Sequence, residues 1–147
     1  MSADPLAAIV FRDLAERYAF ACDRRDADAF AGVFTADGVL EAPRGRFLGH
    51  DELRGVIPMM EKLYLNTFHA VLGQQVKTSG DSAEGETYSI ARHHFEKAPG
   101  DLRCYEMTIR YRDRFRRGGS SWLFSSRTLI VEATHTFAVQ STARWTA

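Results

Sequence analysis

The spacing of apolar residues changes once along this chain, near residue 66, and this change limits the folds open to it. Before that point, apolar residues recur every three or four positions, as on one side of an α-helix. After it, they alternate with polar residues over long stretches, as in β-strands that bury one face. Helices followed by long strands indicate an α+β fold, in which a strongly bent antiparallel sheet curls into a cone-shaped roll. The N-terminal helices would then close a pocket on its concave side.

The first 35 residues predict two helices. Asp4 is a good N-cap acceptor and Pro5 suits the first helical position. Apolar residues follow at helical spacing for about 20 residues. Asp26 is then expected to cap a second, short helix with three inward-facing apolar residues, which are Phe30, Val33 and Phe34.

A turn, a small hairpin and a third helix are expected next. Asp37 and Gly38 form a turn signal, after which residues 39–42 and 46–48 can pair as a hairpin. Asp51 is expected to cap the third helix, and Pro58 either kinks this helix or keeps it short.

Four long strands are predicted from Asn66 onward. The first ends at a turn over residues 79–82, and the others cover residues 83–96, 102–116 and 122–133. The segment after residue 136 either covers the mouth of the roll or frays. Because the chain has 147 residues and no repeat or linker, we expect one domain over residues 1–147.

The overall charge narrows the range of partners. Nineteen Lys and Arg residues balance nineteen Asp and Glu residues, so nothing attracts nucleic acid or an anionic membrane over long range. No stretch approaches the roughly 18 apolar residues of a membrane helix, and the N-terminus does not read as a signal peptide. We therefore expect a cytoplasmic protein whose two cysteines, Cys22 and Cys104, are buried thiols.

A series of short motifs carries a resemblance to a known family. The motifs lie at residues 18–26, 34–38, 49–54, 68–69, 111–115 and 122–124. In this order they resemble the SnoaL-like polyketide cyclase/dehydratase family of the nuclear-transport-factor-2-like superfamily, which includes scytalone dehydratase and the bile acid dehydratases. The resemblance implies the cone-shaped α+β fold and cofactor-free chemistry on a small molecule, although the superfamily also contains members without catalysis.

The resemblance also implies a set of catalytic residues. Asp23 and His69 match an aspartate and a histidine that the dehydratases of this group place at the end of the first helix and early in the first long strand. Tyr18 matches a tyrosine of the bile acid dehydratases, and His94 matches the second histidine of scytalone dehydratase. Scytalone dehydratase has tyrosines where Cys22 and approximately Ala42 stand here, and they hold a water that assists its reaction, so the resemblance does not extend to that exact activity.

These four residue types suit acid–base chemistry. A carboxylate near the carboxyl end of a helix opposes the helix dipole, so the place of Asp23 invites a functional explanation. Bonded to Nδ1 of His69, it would fix the imidazole tautomer and leave Nε2 as a base. Tyr18 and His94 would bond the oxygen that gains charge or leaves. Each of the four also has a plainer interpretation, as a helix cap, a surface residue or part of the core.

Alternation along the strands predicts the rest of the pocket. Met107, Ile109 and Tyr111 share one strand face, and Val71 and Ile90 complete the expected substrate-binding set. The arginines between residues 110 and 117 are expected on a solvated or dimer-facing surface rather than in a nucleic-acid site. Neither a spaced metal-ligand set nor a phosphate or dinucleotide motif is present in the sequence, so we expect no metal and no cofactor.

Two functions remain open at this point. One is a cofactor-independent lyase or isomerase that acts on a mainly apolar ring compound by His/Asp acid–base catalysis; its likeness to dehydratases favours loss of water over cyclisation or isomerisation. The other is a non-catalytic binding or assembly module, as in the small subunits of ring-hydroxylating oxygenases. The resemblance alone also implies a homo-oligomer, a dimer or trimer. A hydrogen-bonded Asp23–His69 pair inside a closed pocket would favour the enzyme.

Overall fold

A computed structural model describes residues 4–140. Its helices are α1 (Pro5–Arg24), α2 (Ala27–Gly32), α3 (Gly49–Arg54) and α4 (Val56–Leu63). Its strands are β1 (Phe34–Ala42), β2 (Gly45–Leu48), β3 (Asn66–Ser79), β4 (Ser82–Ala98), β5 (Asp101–Gly118) and β6 (Ser121–Ala138). Over the described part of the chain, no helix combines the length and the apolar character that crossing a membrane requires.

The six strands form one sheet in the order β2-β1-β6-β5-β4-β3. Neighbouring strands are antiparallel except for β1 and β6, which run parallel. Register shifts interrupt several of the ladders, and such bulges bend the strands. The α+β fold with a bent sheet and N-terminal helices, as predicted from the order of periodicities, is confirmed.

Helix α1 is fastened to strand β3 by side chains of both elements. The guanidinium of Arg12 donates to the main-chain carbonyls of Val71, at 2.8 Å, and Leu72. The amide of Gln74 donates to the carbonyl of Phe11 at 3.1 Å. These bonds hold the middle of β3 along the amino-terminal half of α1, so the start of β3 meets the end of α1.

Aromatic side chains fill the space between the helices and the sheet. The fully buried phenylalanines are Phe11, Phe30, Phe34, Phe115 and Phe124. Burying a side chain of this size stabilises the fold by roughly 1.5–3 kcal/mol relative to leaving it exposed. The two cysteines are free and buried, as expected.

The ends of α1 follow the predicted capping residues. The carboxylate of Asp4 accepts a hydrogen bond from the N–H of Leu6 at 3.0 Å, and that of Asp26 accepts one from Ala29 at 2.9 Å at the start of α2. Between the two helices, Arg25 adopts a left-handed conformation with φ 58° and ends α1. Asp23 therefore lies in the last turn of α1, with its direction set by a well-defined cap.

The predicted third helix is wrong in two respects. The predicted helix is divided at Gly55 into α3 and α4. Pro58 lies in the first turn of α4, where the N–H groups have no partner within the helix, so the missing N–H of proline costs no hydrogen bond. Asp51 does not cap α3. Instead the carboxylate of Glu52 accepts a bond from the N–H of Leu48 at 2.6 Å.

Strand β1 starts earlier than expected. Phe34 belongs to β1 rather than to α2, and Asp37 and Gly38 lie inside the strand at an irregularity of its pairing with β6. A Cβ atom on Gly38 would lie 2.8 Å from the Cβ of Phe34, which is too close. Glycine therefore occupies this position because there is no room for a side chain, and not because the chain turns here. Strand β6 continues to residue 138, and residues 141–147 lie outside the described residues.

Candidate active site

A cavity of about 280 Å³ lies between α1, α4 and the inner face of the sheet. Most of its wall is apolar, with Leu40, Phe47, Met60, Met107, Ile109 and Leu129 among the side chains that form it. The polar groups on the wall are few, and they include Tyr18, Tyr64, His69, His93 and Arg44. An apolar hollow with a few polar groups is the usual form of a small-molecule site.

Asp23 and His69 are in hydrogen-bond contact at the wall of this cavity. Nδ1 of His69 lies 2.7 Å from Oδ1 of Asp23, although the residues are 46 positions apart in sequence. The side chain of His69 is only 7% exposed and that of Asp23 only 16%. Because an ionised carboxylate only accepts, Nδ1 carries the proton and Nε2 keeps its lone pair. The pair thus supplies one basic nitrogen to an apolar hollow.

The start of β3 supplies two more donors to the same carboxylate. The main-chain N–H of His69 donates to Oδ2 of Asp23 at 2.9 Å. The hydroxyl of Thr67 donates to Oδ1 at 2.9 Å. Three donors offset the unfavourable position of a carboxylate at the carboxyl end of α1. This accounts for the placement of Asp23 that the helix dipole alone would disfavour.

Tyr18 lines the cavity from α1, one helical turn before Cys22 and Asp23. Burial, and then the neighbouring Tyr111, raise the pKa of Tyr18 well above its ordinary value. Its hydroxyl therefore stays protonated and can donate a hydrogen bond. Tyr111 was expected in the wall as well, but it is buried behind Tyr18, with 5.7 Å between the ring centres. That prediction was wrong, because the bulk of Tyr18 covers it.

His93, not His94, faces the cavity. The inward face of β4 carries Ala91 and His93, which are buried, while His94 lies on the other face and bonds to the side chain of Asn66. The prediction that His94 points inward was wrong. A bulge in β4 between Glu96 and Ala98 shifts the register by one residue, so Ala91 pairs with Met107. Counting outward from the turn at residues 99–100 without this bulge would pair Ala91 with Thr108, which puts His94 on the inward face.

The same register decides the other expected lining residues. Met107 and Ile109 do form part of the wall. Ile90 lies on the outer face beside His94, so its assignment to the pocket was wrong. Val71 was also misplaced: at that point β3 has left the cavity and runs beneath α1, where Arg12 bonds to its carbonyl.

His93 is a second cavity imidazole with a fixed orientation. Its Nδ1 lies 3.0 Å from the carbonyl oxygen of Tyr105, which only accepts, so Nδ1 carries the proton and Nε2 is an acceptor. The rings of Tyr64 and His69 lie 4.7 Å and 5.7 Å from its own. Burial, and then the charge on His69, lower the pKa of His93 to about 4. This imidazole is neutral at neutral pH.

The low pKa of His93 makes stability depend on pH. The unfolded imidazole takes up a proton near pH 6.5 and the folded one only near 4, so the unfolded state binds more protons between these values. The free energy of unfolding is therefore expected to fall by roughly 2–3 kcal/mol as the pH drops through this window. Urea denaturation from pH 7 to 4 measures it. In His93→Gln, the free energy of unfolding should no longer fall in this way between pH 6.5 and 4. His135→Gln, a change on the exposed end of β6, should keep the parental pH dependence. The same pH dependence in both variants would contradict the assignment to His93.

A buried ion pair beneath the cavity was missed by sequence reasoning. The guanidinium of Arg127 contacts both carboxylate oxygens of Asp113, at 2.8 Å and 3.1 Å, and the two side chains are 1% and 0% exposed. Burial lowers the pKa of Arg127, but the charge of Asp113 outweighs it and raises that pKa above its ordinary value. The guanidinium lies 3.8 Å from the ring centre of Tyr111 and 4.4 Å from that of Tyr18. In the sequence, Asp113 alternates with two aromatic residues, Tyr111 and Phe115, which are both buried on β5, and this pattern could have indicated that Asp113 faces the core.

Metal-binding side chains do not gather here: among residues 4–140, no three His, Cys, Asp or Glu side chains are placed to hold a metal ion. The polar atoms of the cavity wall are instead phenol hydroxyls, imidazole nitrogens and one guanidinium. What this arrangement can do by itself is accept and return a proton, and donate hydrogen bonds to a bound oxygen.

Solved structures of other proteins share this fold. A candidate aromatic ring hydroxylase from Novosphingobium aromaticivorans superposes with a TM-score of 0.81 at 22% identity, over 94% of this chain and 96% of the other. A candidate scytalone dehydratase from the same organism has a TM-score of 0.78 at 17% identity, over 92% and 91%. A hexachlorocyclohexane dehydrochlorinase, LinA of type 2, has a TM-score of 0.79 at 13% identity, over 97% and 94%. At these identities the likeness concerns the fold alone.

Comparison of sequences identifies the family. None of the curated proteins matches the chain in sequence. The family model of the SnoaL-like domain matches residues 8–128, most of the chain. This agrees with the resemblance carried by the motifs, so the chain belongs to the family of SnoaL-like domains.

Proposed function

We propose that this protein is a cofactor-independent lyase of the dehydratase type. Its substrate is a compact, mainly apolar ring compound that carries a carbonyl group, an acidic C–H beside it and a hydroxyl one carbon further on. The observation that carries the proposal is the Asp23–His69 pair at the wall of a mostly apolar cavity. Two proteins that share this fold, a candidate scytalone dehydratase and a dehydrochlorinase, support the choice of an elimination reaction.

The proposed reaction begins with the transfer of a proton to His69. Nε2 takes the proton from the carbon beside the carbonyl, and the electron pair of the C–H bond moves onto the carbonyl oxygen. Asp23 stabilises the imidazolium, and the hydroxyl of Tyr18 donates to the oxygen that gains charge. Because burial keeps Tyr18 protonated, it serves as a donor throughout.

Loss of water completes the cycle. The electron pair returns from oxygen to form the carbon–carbon double bond, and the hydroxyl departs with the proton that His69 gives back. The base is regenerated, so atoms and charges balance with no other reactant. His93 is not the acid in this scheme, because its pKa of about 4 leaves it neutral. Its free Nε2 instead accepts a hydrogen bond from the substrate hydroxyl and orients it.

The cavity and the outer surface support two further parts of the proposal. A volume of about 280 Å³ is close to the lower end of the usual range for ligand pockets, roughly 300–1,000 Å³, which favours a compact substrate.

On the outer face of the sheet, Phe68 and Tyr88 expose large apolar surfaces. Such surfaces support self-association, and we include a homo-oligomer in the proposal.

A panel of ring compounds tests this function. Compounds of the phenolic, polyketide and steroid classes with a carbonyl and a hydroxyl are screened for a rise in melting temperature and then for loss of water by mass spectrometry. Met107→Trp, which fills the cavity and leaves the Asp23–His69 pair in place, is the control. We expect at least one compound to stabilise the parent and be converted, and Met107→Trp to do neither. Binding without conversion would contradict the lyase and support a binding module.

A further inference from the structure

We infer that Thr67 and Arg25 are positioning residues, which hold the carboxylate of Asp23 in the orientation that His69 requires. The inference rests on the proposed function, since it gives these residues a purpose in the action of the base. Neither residue lines the cavity, so neither touches a bound molecule. They act only through Asp23.

The order of the hydrogen bonds is fixed by chemistry. Nη1 of Arg25 lies 2.8 Å from Oγ1 of Thr67, which in turn lies 2.9 Å from Oδ1 of Asp23. A guanidinium has donors only, so the Thr67 oxygen must accept from it. The single hydroxyl proton of Thr67 is then directed to Asp23. Oδ1 therefore receives two donors, the Thr67 hydroxyl and the Nδ1–H of His69.

The backbone of Arg25 is arranged to make this contact. Arg25 is the only residue other than glycine with a positive φ in the described part of the chain. Glycine is the usual residue at a left-handed helix end, because a side chain is disfavoured there. What arginine adds is its guanidinium, which reaches the carbonyl of Cys22 at 2.7 Å and the hydroxyl of Thr67. The contact with Thr67, and not the backbone turn, therefore explains why an arginine occupies this left-handed position.

The charge of Arg25 reaches Asp23 through Thr67 and not by a direct ion pair. The guanidinium contacts the hydroxyl, and its Nη2 is buried without a hydrogen-bond partner among residues 4–140. A direct, bidentate contact would occupy the carboxylate oxygens that His69 needs. Contact through the hydroxyl directs the Thr67 proton to Asp23 and leaves Oδ1 open to the imidazole. Both properties keep the proton of His69 on Nδ1 and the lone pair of Nε2 in the cavity.

The tautomer of His69 gives a measurement that needs no substrate. In nitrogen-15 NMR spectra of the neutral imidazole, we expect the Nδ1–H form in the parent. Thr67→Val removes the hydroxyl and should shift the population toward Nε2–H. Thr67→Ser restores the hydroxyl and should return it. Thr108→Val, the same change on the exposed outer face of β5, is the matched control and should resemble the parent.

Activity and a second variant complete the test. Thr67→Val should lower kcat/KM about tenfold, as is typical when a partner behind a functional histidine is lost, and Thr67→Ser should recover it. Arg25→Gly suits the left-handed backbone, so the fold should persist while tautomer and activity change as in Thr67→Val. If both variants keep the parental tautomer and turnover, the positioning role is overturned. If the tautomer responds but no compound is ever converted, the proposed function fails and the positioning role stands.

Discussion

His69→Gln is expected to lower the turnover of any compound converted in the cavity by roughly 10²–10⁴-fold, the usual contribution of a general base. The glutamine amide keeps a polar group near Asp23 but has no basic nitrogen. The main-chain N–H of residue 69 still donates to that carboxylate, so the fold should persist. Steady-state kinetics give kcat/KM, and the melting temperature checks that the variant is folded.

Two other histidines serve as internal controls for this experiment. His94→Gln changes a residue on the outer face of β4 and should leave turnover unchanged. His93→Gln replaces the imidazole acceptor on the cavity wall with an amide oxygen in a different position, and we expect a smaller loss than for His69→Gln, on the order of tenfold. If His94→Gln were the damaging change and His69→Gln harmless, the assignment of the base would be wrong.

Arg127→Met is expected to lower the free energy of unfolding by about 3–5 kcal/mol, because it leaves the carboxylate of Asp113 buried without its partner. The substitution also removes a cation from the faces of Tyr18 and Tyr111, which adds a smaller loss. Urea denaturation at neutral pH measures the change.

An exposed ion pair and a double variant separate charge burial from simple loss of a contact. Arg17 and Asp13 pair at 2.9 Å on the surface of α1, with side chains 53% and 58% exposed. Arg17→Met should therefore cost under about 1 kcal/mol. Combining Arg127→Met with Asp113→Leu should recover much of the loss, since no buried charge remains unpaired. Equal losses for Arg127→Met and Arg17→Met would contradict this explanation.

The parts of the molecule that were predictable are those governed by local rules. Capping by Asp4 and Asp26 depends on a few neighbouring residues, and both helix starts were predicted at the correct place. The long strands follow from the two-residue period, which any half-buried strand must show. The contact of Asp23 with His69 was expected only through the resemblance, because no local rule joins residues 46 positions apart.

The errors occurred where the outcome depends on a partner element. Whether His93 or His94 faces inward depends on the register of β4 against β5, which a bulge between Glu96 and Ala98 shifts by one residue from the register that the turn alone would give. The burial of Arg127 depends on Asp113, directly opposite it on β5. Thr67 lies two residues before His69, yet its importance to Asp23 becomes visible only when α1 and β3 are brought together.

Deuterium exchange in D₂O tests the proposed base most directly. A compound that binds in the cavity is incubated with the parent and with His69→Gln, and NMR follows the hydrogen on the carbon beside its carbonyl. If His69 is the base, the parent exchanges this hydrogen for deuterium and His69→Gln does so far more slowly. A bound compound that keeps its hydrogen in the parent, or equal exchange in both proteins, would contradict it.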